Sequence, residues 1–246
     1  MESASKAQIL SQLQSDILRF QGFKPADYLA DSTWLGVINQ SFPNATFPIG
    51  AVHEFLAQGM EEMASTSGFV SAVASHLMKG HGVAMWISQR KWMFPPSFKT
   101  FGLNPDRILF VKTSNDKESM WVTEEALKCG ALTVVVSELS DLSFTASRRL
   151  QLAVEQSKVT GFVLRYKYKQ LSTNACVSRW QISSLPSDSV DDLPGIGFPK
   201  WRVELLRIRN GYPDAWNVQW NNGEFSISSL QPKSISFEAE AQVKVG

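Results

Sequence analysis

Cysteine, histidine and net charge are what this sequence has least of. Its 246 residues include 2 cysteines and 3 histidines, and 24 Lys+Arg against 23 Asp+Glu leave a formal net charge of +1. Near-neutrality excludes a global field that would pull the chain onto nucleic acid or an anionic membrane, so such a contact needs a local patch. Cys129 and Cys176 fall in apolar segments read as a helix end and a strand. That predicts buried free thiols in a reducing compartment, rather than a disulfide or a metal site. His53, His76 and His81 share no HxxxH or Cys/His spacing, so no metal is expected. No run approaches the roughly 20 apolar residues of a membrane span, and the start MESASKAQILSQLQSDILRF has no uninterrupted apolar core of the signal-peptide kind. No G-x-S-x-G elbow marks a nucleophile. The expectation is a cytosolic chain without cofactor, 43% apolar and able to bury a sizeable core.

What is present is an alternation of strand and helix. Residues 4–20 place Ile9, Leu10, Leu13, Ile17 and Leu18 on one helical face, either a lid over the chain's own sheet or a docking arm for a neighbour. A loop rich in Asn, Pro and Gly follows (39–50). AVHEFLA then reads as a strand and TSGFVSAVASHLMKG as a helix stopped by Gly80; VAMWIS and DRILFVK are further apolar runs. DKESMWVTEEALKCG begins with acids and ends after Lys128, as the helix dipole prefers. LTVVVSEL is β-branched and reads as a buried central strand, followed by helix TASRRLQLAVEQSK and strand GFVLRY. Such alternation predicts a mostly parallel sheet covered on both faces. Beyond residue 175 the grammar becomes strand after strand, with a hairpin around Asn222-Gly223, so antiparallel strands should finish the sheet. The expected organisation is a helical extension over 1–40, a core over 41–209, and a C-terminal hairpin and strand-like tail over 210–246.

A parallel sheet with antiparallel strands at its C-terminal edge resembles the RecA-like ATPase core. IGAVHEFLA is similar to that family's strand entering the phosphate loop, with Glu54 in the familiar place, and WVTEEALKCGALTVVVSEL to the helix and strand carrying its metal-binding acid. LSFTASRRLQLAVEQSKVTGFVLR and PGIGFPKWRVELLRIRNGYPDAWNVQW resemble one branch, ImuA, an accessory protein of damage-induced (SOS) mutagenesis. Matching segments cover about residues 48–222.

The chemistry of the ATPase is missing from the matching positions. A GxxxxGK[ST] loop holds phosphates with backbone amides, a lysine and a magnesium-binding hydroxyl. Here the stretch reads GMEEMASTSGF, a vestigial loop in which Gly59, Ser67 and Gly68 remain, Phe69 stands where the lysine is expected, and Glu61 and Glu62 would repel a triphosphate. The metal-acid position reads Ser137-Glu138, and QRKWMFPP contains no water-activating acid. The reading is a degenerate site and a chain that is not an enzyme.

Other patterns leave alternatives open. Lys167 and Lys169 interleave with Tyr166 and Tyr168, which suits weak binding of single-stranded nucleic acid or else a solvated strand end. Arg148-Arg149 opens a helix where cations oppose the dipole, calling for a salt bridge to Asp141 or Glu138, or for a partner. Trp86, Trp92, Trp121, Trp180 and Trp201 fall on apolar runs and are expected in the core. Met93-Phe94-Pro95-Pro96 is a proline-broken loop, either a partner surface or a filling for the vacated nucleotide cleft. The tail SISFEAEAQVKVG alternates strictly, with Phe237 in the apolar row, so it either returns to its own sheet or adds to another chain. The resemblance implies a non-catalytic adaptor in error-prone translesion synthesis. Its partners would be an ImuB-like Y-family polymerase homologue and an error-prone replicative-type polymerase, with RecA and a homo-oligomer as further options. Two other readings stand beside it, a SulA-like cell-division inhibitor binding FtsZ and an atypical nucleotide-binding ATPase.

Overall fold

The computed structural model describes residues 32–79, 81–90, 94–187 and 197–229. The expected helix over 4–20, the greater part of the expected 1–40 extension, Gly80, Trp92, Met93 and the tail with Phe237 lie outside the described residues. In chain order come β1 (Val52–Ala57), α1 (Met60–Met78), β2 (Ala84–Ser88), β3 (Ile108–Lys112), α2 (Asp116–Lys128), β4 (Val134–Leu139), α3 (Phe144–Ser157), β5 (Thr160–Tyr166), β6 (Ser178–Leu185), β7 (Lys200–Ile208), β8 (Asp214–Asn221) and β9 (Glu224–Ser229).

The strands form one nine-stranded sheet in the order β3-β2-β4-β5-β1-β6-β7-β8-β9. Pairings from β3 through to β6 are parallel, and β6/β7, β7/β8 and β8/β9 are antiparallel. The α/β class and the change of grammar near residue 175 are therefore those expected. LTVVVSEL supplies β4, inside the parallel region and buried along its whole length. Asn222 and Gly223 turn the last hairpin with φ of 50° and 90°, the left-handed backbone that a two-residue turn demands. This hairpin continues the same sheet.

Two apolar layers flank the sheet. One gathers α1, the 3-10 turns at Ser32–Ser41 and Pro95–Phe101, and the inward rows of β6 to β9; it is rich in aromatic residues, including Phe55, Phe69, Trp180, Trp201 and Trp216. The other lies under α2 and α3, with Leu127, Leu150, Val154 and Val163. Helix ends follow local chemistry. Asn115 Oδ1 accepts from the Glu118 amide (3.0 Å) while Glu118 Oε2 accepts from the Ser114 amide (2.7 Å), and Ser143 Oγ accepts from the Ala146 amide.

Two expectations about burial and one about a helix boundary are corrected. Trp121 is 63% exposed, because α2 turns Ser119, Thr123, Ala126 and Leu127 toward the sheet and Trp121 lies on its outer side. Cys129 is exposed, since the helix ends at Lys128 and the next residue caps it in solvent; Cys176 is buried as expected. The helix over 66–80 begins earlier, at Met60, with consequences for the site.

Candidate functional site

In a parallel α/β sheet the carboxyl ends of the strands are where connections converge on a ligand. Here β1 passes into α1 through Gln58 and Gly59 alone. The loop expected over 59–69 is thus corrected. Gly59 is the helix N-cap, Ser67 and Gly68 lie inside α1, and Phe69 is buried against Phe55, Trp180 and Trp201. Glycine at 68 serves packing, because a Cβ there would come within 2.9 Å of the Phe101 ring and 3.2 Å of Trp201. Glu61 and Glu62 occupy the first turn of α1, where carboxylates complement the helix dipole. Glu62 Oε2 accepts from the Gln58 amide at 2.7 Å, and Ser184 donates to Glu61. The helix start that would hold a phosphate already carries acids.

The end of β4 is also committed. Ser137 is hydrogen-bonded to Thr123 at 2.6 Å under α2. Glu138 points the other way and is buried, accepting from Ser88 Oγ (2.9 Å) and Trp86 Nε1 (3.4 Å) and pairing with Arg90 Nε (3.2 Å). Burial pushes its carboxyl above the usual range, while Arg90, Ser88 and Trp86 pull the other way. The segment after β2, which carries no acid, thus places a guanidinium on Glu138. Arg90 also stacks on Tyr166, 3.8 Å from the ring centroid.

Next to this pair lies a cavity of 330 Å³ with aromatic walls, Trp86, Phe94, Phe98 and Phe101, and with Ser67, Gly68 and Glu138 on its lining. Phe94 belongs to it yet remains 66% exposed. A smaller cavity of 230 Å³ shares Arg90 and Glu138 and adds Asp116 and Ser140. A third, of 550 Å³, shares Ser140 and brings in Phe144, Lys167 and Lys169. The two lysines therefore line one cleft, on a connection tied to the β1–α1 passage by the Lys167 amide donating to the Ala57 carbonyl (2.9 Å) and Gln58 Nε2 donating to the Tyr168 carbonyl (3.3 Å). Tyr166, just before Lys167, is stacked under Arg90 and has Lys167 Nζ 5.3 Å from its ring centroid, while Tyr168, between the lysines, has Arg165 at 5.6 Å.

Comparison with known proteins identifies the lineage. No family model matches the chain. Over 196 residues it is 32% identical to Protein ImuA of Caulobacter vibrioides, in each of two strains, across 74% of this chain and 80% of the relative. The chain belongs to the ImuA family. Among solved structures, SulA from Pseudomonas aeruginosa matches this ImuA-family chain with a TM-score of 0.40 and 21% identity, over 47% of this chain and 97% of that one.

The arginines of this ImuA-family chain were illegible as a group. Glu54, fully buried at β1, pairs with Arg165 Nη1 (2.8 Å) and Arg179 Nε (2.5 Å). Arg165 continues to Asp141 (3.2 Å) and the Gln170 carbonyl, and Arg179 to the Ser172 carbonyl. Arg207 holds Asn174 and the Cys176 carbonyl, and Arg209 the Ala175 carbonyl. Four arginines from β5 to just past β7 thereby clamp the connection that carries Leu171 and follows Lys167 and Lys169. The available signal was the alternation of Arg179, Arg207 and Arg209 with apolar residues, but only the pairing of strands converges them. Arg149 does not reach Asp141 or Glu138; it pairs with Glu124 on α2.

Proposed function

We propose that this chain is a non-catalytic adaptor of damage-induced error-prone translesion synthesis, acting through protein contacts. The supporting observation is the state of the carboxyl edge. The strand-to-helix passage is too short to wrap a phosphate, its helix start is occupied by Glu61 and Glu62, and Arg90 holds the acid that could bind a metal. A triphosphate would meet carboxylates where it needs amides and a lysine. The same edge exposes large apolar side chains from two helix starts and two connections, Met60 at 61%, Phe144 at 57%, Phe94 at 66% and Leu171 at 49%, as a protein-binding surface requires. Membership of the ImuA family supplies the setting: an ImuB-like Y-family polymerase homologue and an error-prone replicative-type polymerase are the partners this reading assigns.

The deciding experiment is affinity capture of the tagged chain from DNA-damaged cells, read by mass spectrometry. Recovery of the two polymerases supports the adaptor role, whereas recovery of FtsZ alone assigns a division inhibitor instead. Magnesium-dependent ATP turnover above background, lost in Glu138→Gln, would refute the non-catalytic reading.

A further inference from the structure

Along the carboxyl edge the three cavities adjoin. Arg90 and Glu138 line both the first and the second, and Ser140 lines both the second and the third. The two ends differ in chemistry. One is walled by the aromatic rings of Trp86, Phe94, Phe98 and Phe101. The other presents the exposed Lys167 and Lys169 beside Phe144. The carboxylate lining that end belongs to Asp141, which is already paired with the buried Arg165. Neither lysine has an ion-pair partner among the described residues.

We infer that this trough is the docking site for an acidic peptide segment of a partner protein, whose bulky apolar side chain enters the aromatic end while carboxylates further along it meet Lys167 and Lys169. This rests on the protein-contact reading of the carboxyl edge and names the chemistry of what that edge takes. Charge complementarity selects the occupant. A peptide can carry its acids at one end only, over the lysines, and remain neutral across the middle, where Asp116 and Glu138 stand. A phosphodiester chain carries a charge at every step and would run its phosphates over Asp116, which has no cation paired with it among the described residues, whereas Glu138 beside it is paired with Arg90. The connection bearing the cationic end is pinned through its backbone by Arg165 and Arg179, so the site stands preformed and little ordering is required on binding.

The test is fluorescence anisotropy on the full chain with a fluorescein-labelled probe peptide carrying leucine and phenylalanine beside four glutamates. Binding should weaken with added salt. Lys167→Ala combined with Lys169→Ala should lower affinity about fivefold to tenfold, as two exposed charge pairs would. Phe94→Ala should lower it about tenfold through the aromatic end. All three side chains are exposed, and circular dichroism checks that the variants remain folded. A probe with lysines in place of the glutamates should not bind. No binding at millimolar peptide, or affinity indifferent to both variants, overturns the proposal; so does a twelve-residue oligothymidine that binds more tightly and displaces the peptide. Capture from damaged cells separates this inference from the adaptor reading. If the polymerases co-purify equally with the wild type and the variants, the trough is wrong and the adaptor stands. If the peptide binds as described but no polymerase is captured, the trough stands and the adaptor reading falls.

Discussion

The parallel and antiparallel halves of the sheet are built from the same strands-and-turns chemistry but buried differently. In β1 and β4 every residue is buried, and β5 differs only at Tyr166, because helices or packed turns cover both faces. In β6 and β8 buried residues alternate with half-buried ones, since α1 and its neighbouring turns cover one face while Gln181, Asn217 and Gln219 lie in the other row. A strand covered twice must be apolar or have each polar side chain partnered, as His53, Glu54, Ser137, Glu138 and Arg165 are. One covered once needs an apolar residue at every second position. The difference also explains where charge is stored. Glu54 lies at the seam, in the last fully buried strand, and is neutralised by Arg165 from the parallel side and Arg179 from the first strand of the antiparallel side.

The sharpest way to break this contrast is a pair of substitutions in β8. Trp216→Ala should cost roughly 4 kcal/mol by cavity formation, while Gln219→Ala, three residues on in the other row, should stay within about 0.5 kcal/mol. Urea denaturation measures both, and equal losses would mean that the second face is covered too. At the seam, Arg165→Ala should cost about 3 kcal/mol, because it strips a partner from the buried Glu54 carboxylate. Replacing the whole cluster, Arg165→Met and Arg179→Met with Glu54→Leu, should recover most of that loss; a triple variant as unstable as the single one would show that packing, not charge, is at stake.

The third effect belongs to His53, buried on β1. Its Nε2 donates to the Pro48 carbonyl (2.7 Å) and Nδ1 accepts from Ser178 Oγ (2.6 Å), which in turn accepts from Trp180 Nε1 (2.6 Å). Burial lowers its pKa to about 4 from the ordinary 6.5. The unfolded chain therefore binds the extra proton first as pH falls. The stabilisation is complete above pH 6.5 and is lost progressively toward pH 4, by up to about 3 kcal/mol. His53→Gln should flatten that part of the stability-against-pH curve, and an unchanged slope would assign it to other groups. The smallest effect is at the turn of the antiparallel half. Gly223→Ala, at φ of 90°, should cost about 1 kcal/mol with no neighbour to blame, since nothing lies within 4 Å of the added Cβ.

Much of the frame was legible in the chain itself. Period-two and period-3.6 patterns located the strands and helices, LTVVVSEL announced a doubly covered strand, and Asn222-Gly223 announced the hairpin, because these signals depend on residues near in sequence. The start of α1 was misplaced for a local reason. Gly59 and Gly68 look like loop punctuation, yet Gly68 is in a helix interior for the sake of Phe101 and Trp201, residues distant in sequence. Trp121 was assigned to the core by its apolar neighbours, but the face that α2 turns inward decides burial.

That 59–69 carries no lysine and 89–96 no acid was written in the sequence, for it is a matter of which residues exist. Which side chains meet at the carboxyl edge was decided by tertiary structure. Parallel pairing of β2 with β4 sets Arg90 against Glu138, and the neighbours of β1 on either side bring Arg165 and Arg179 onto Glu54. Ion pairs between residues 48 to 125 positions apart have no periodic trace. They arise because the sheet orders its strands by packing rather than by their succession in the chain.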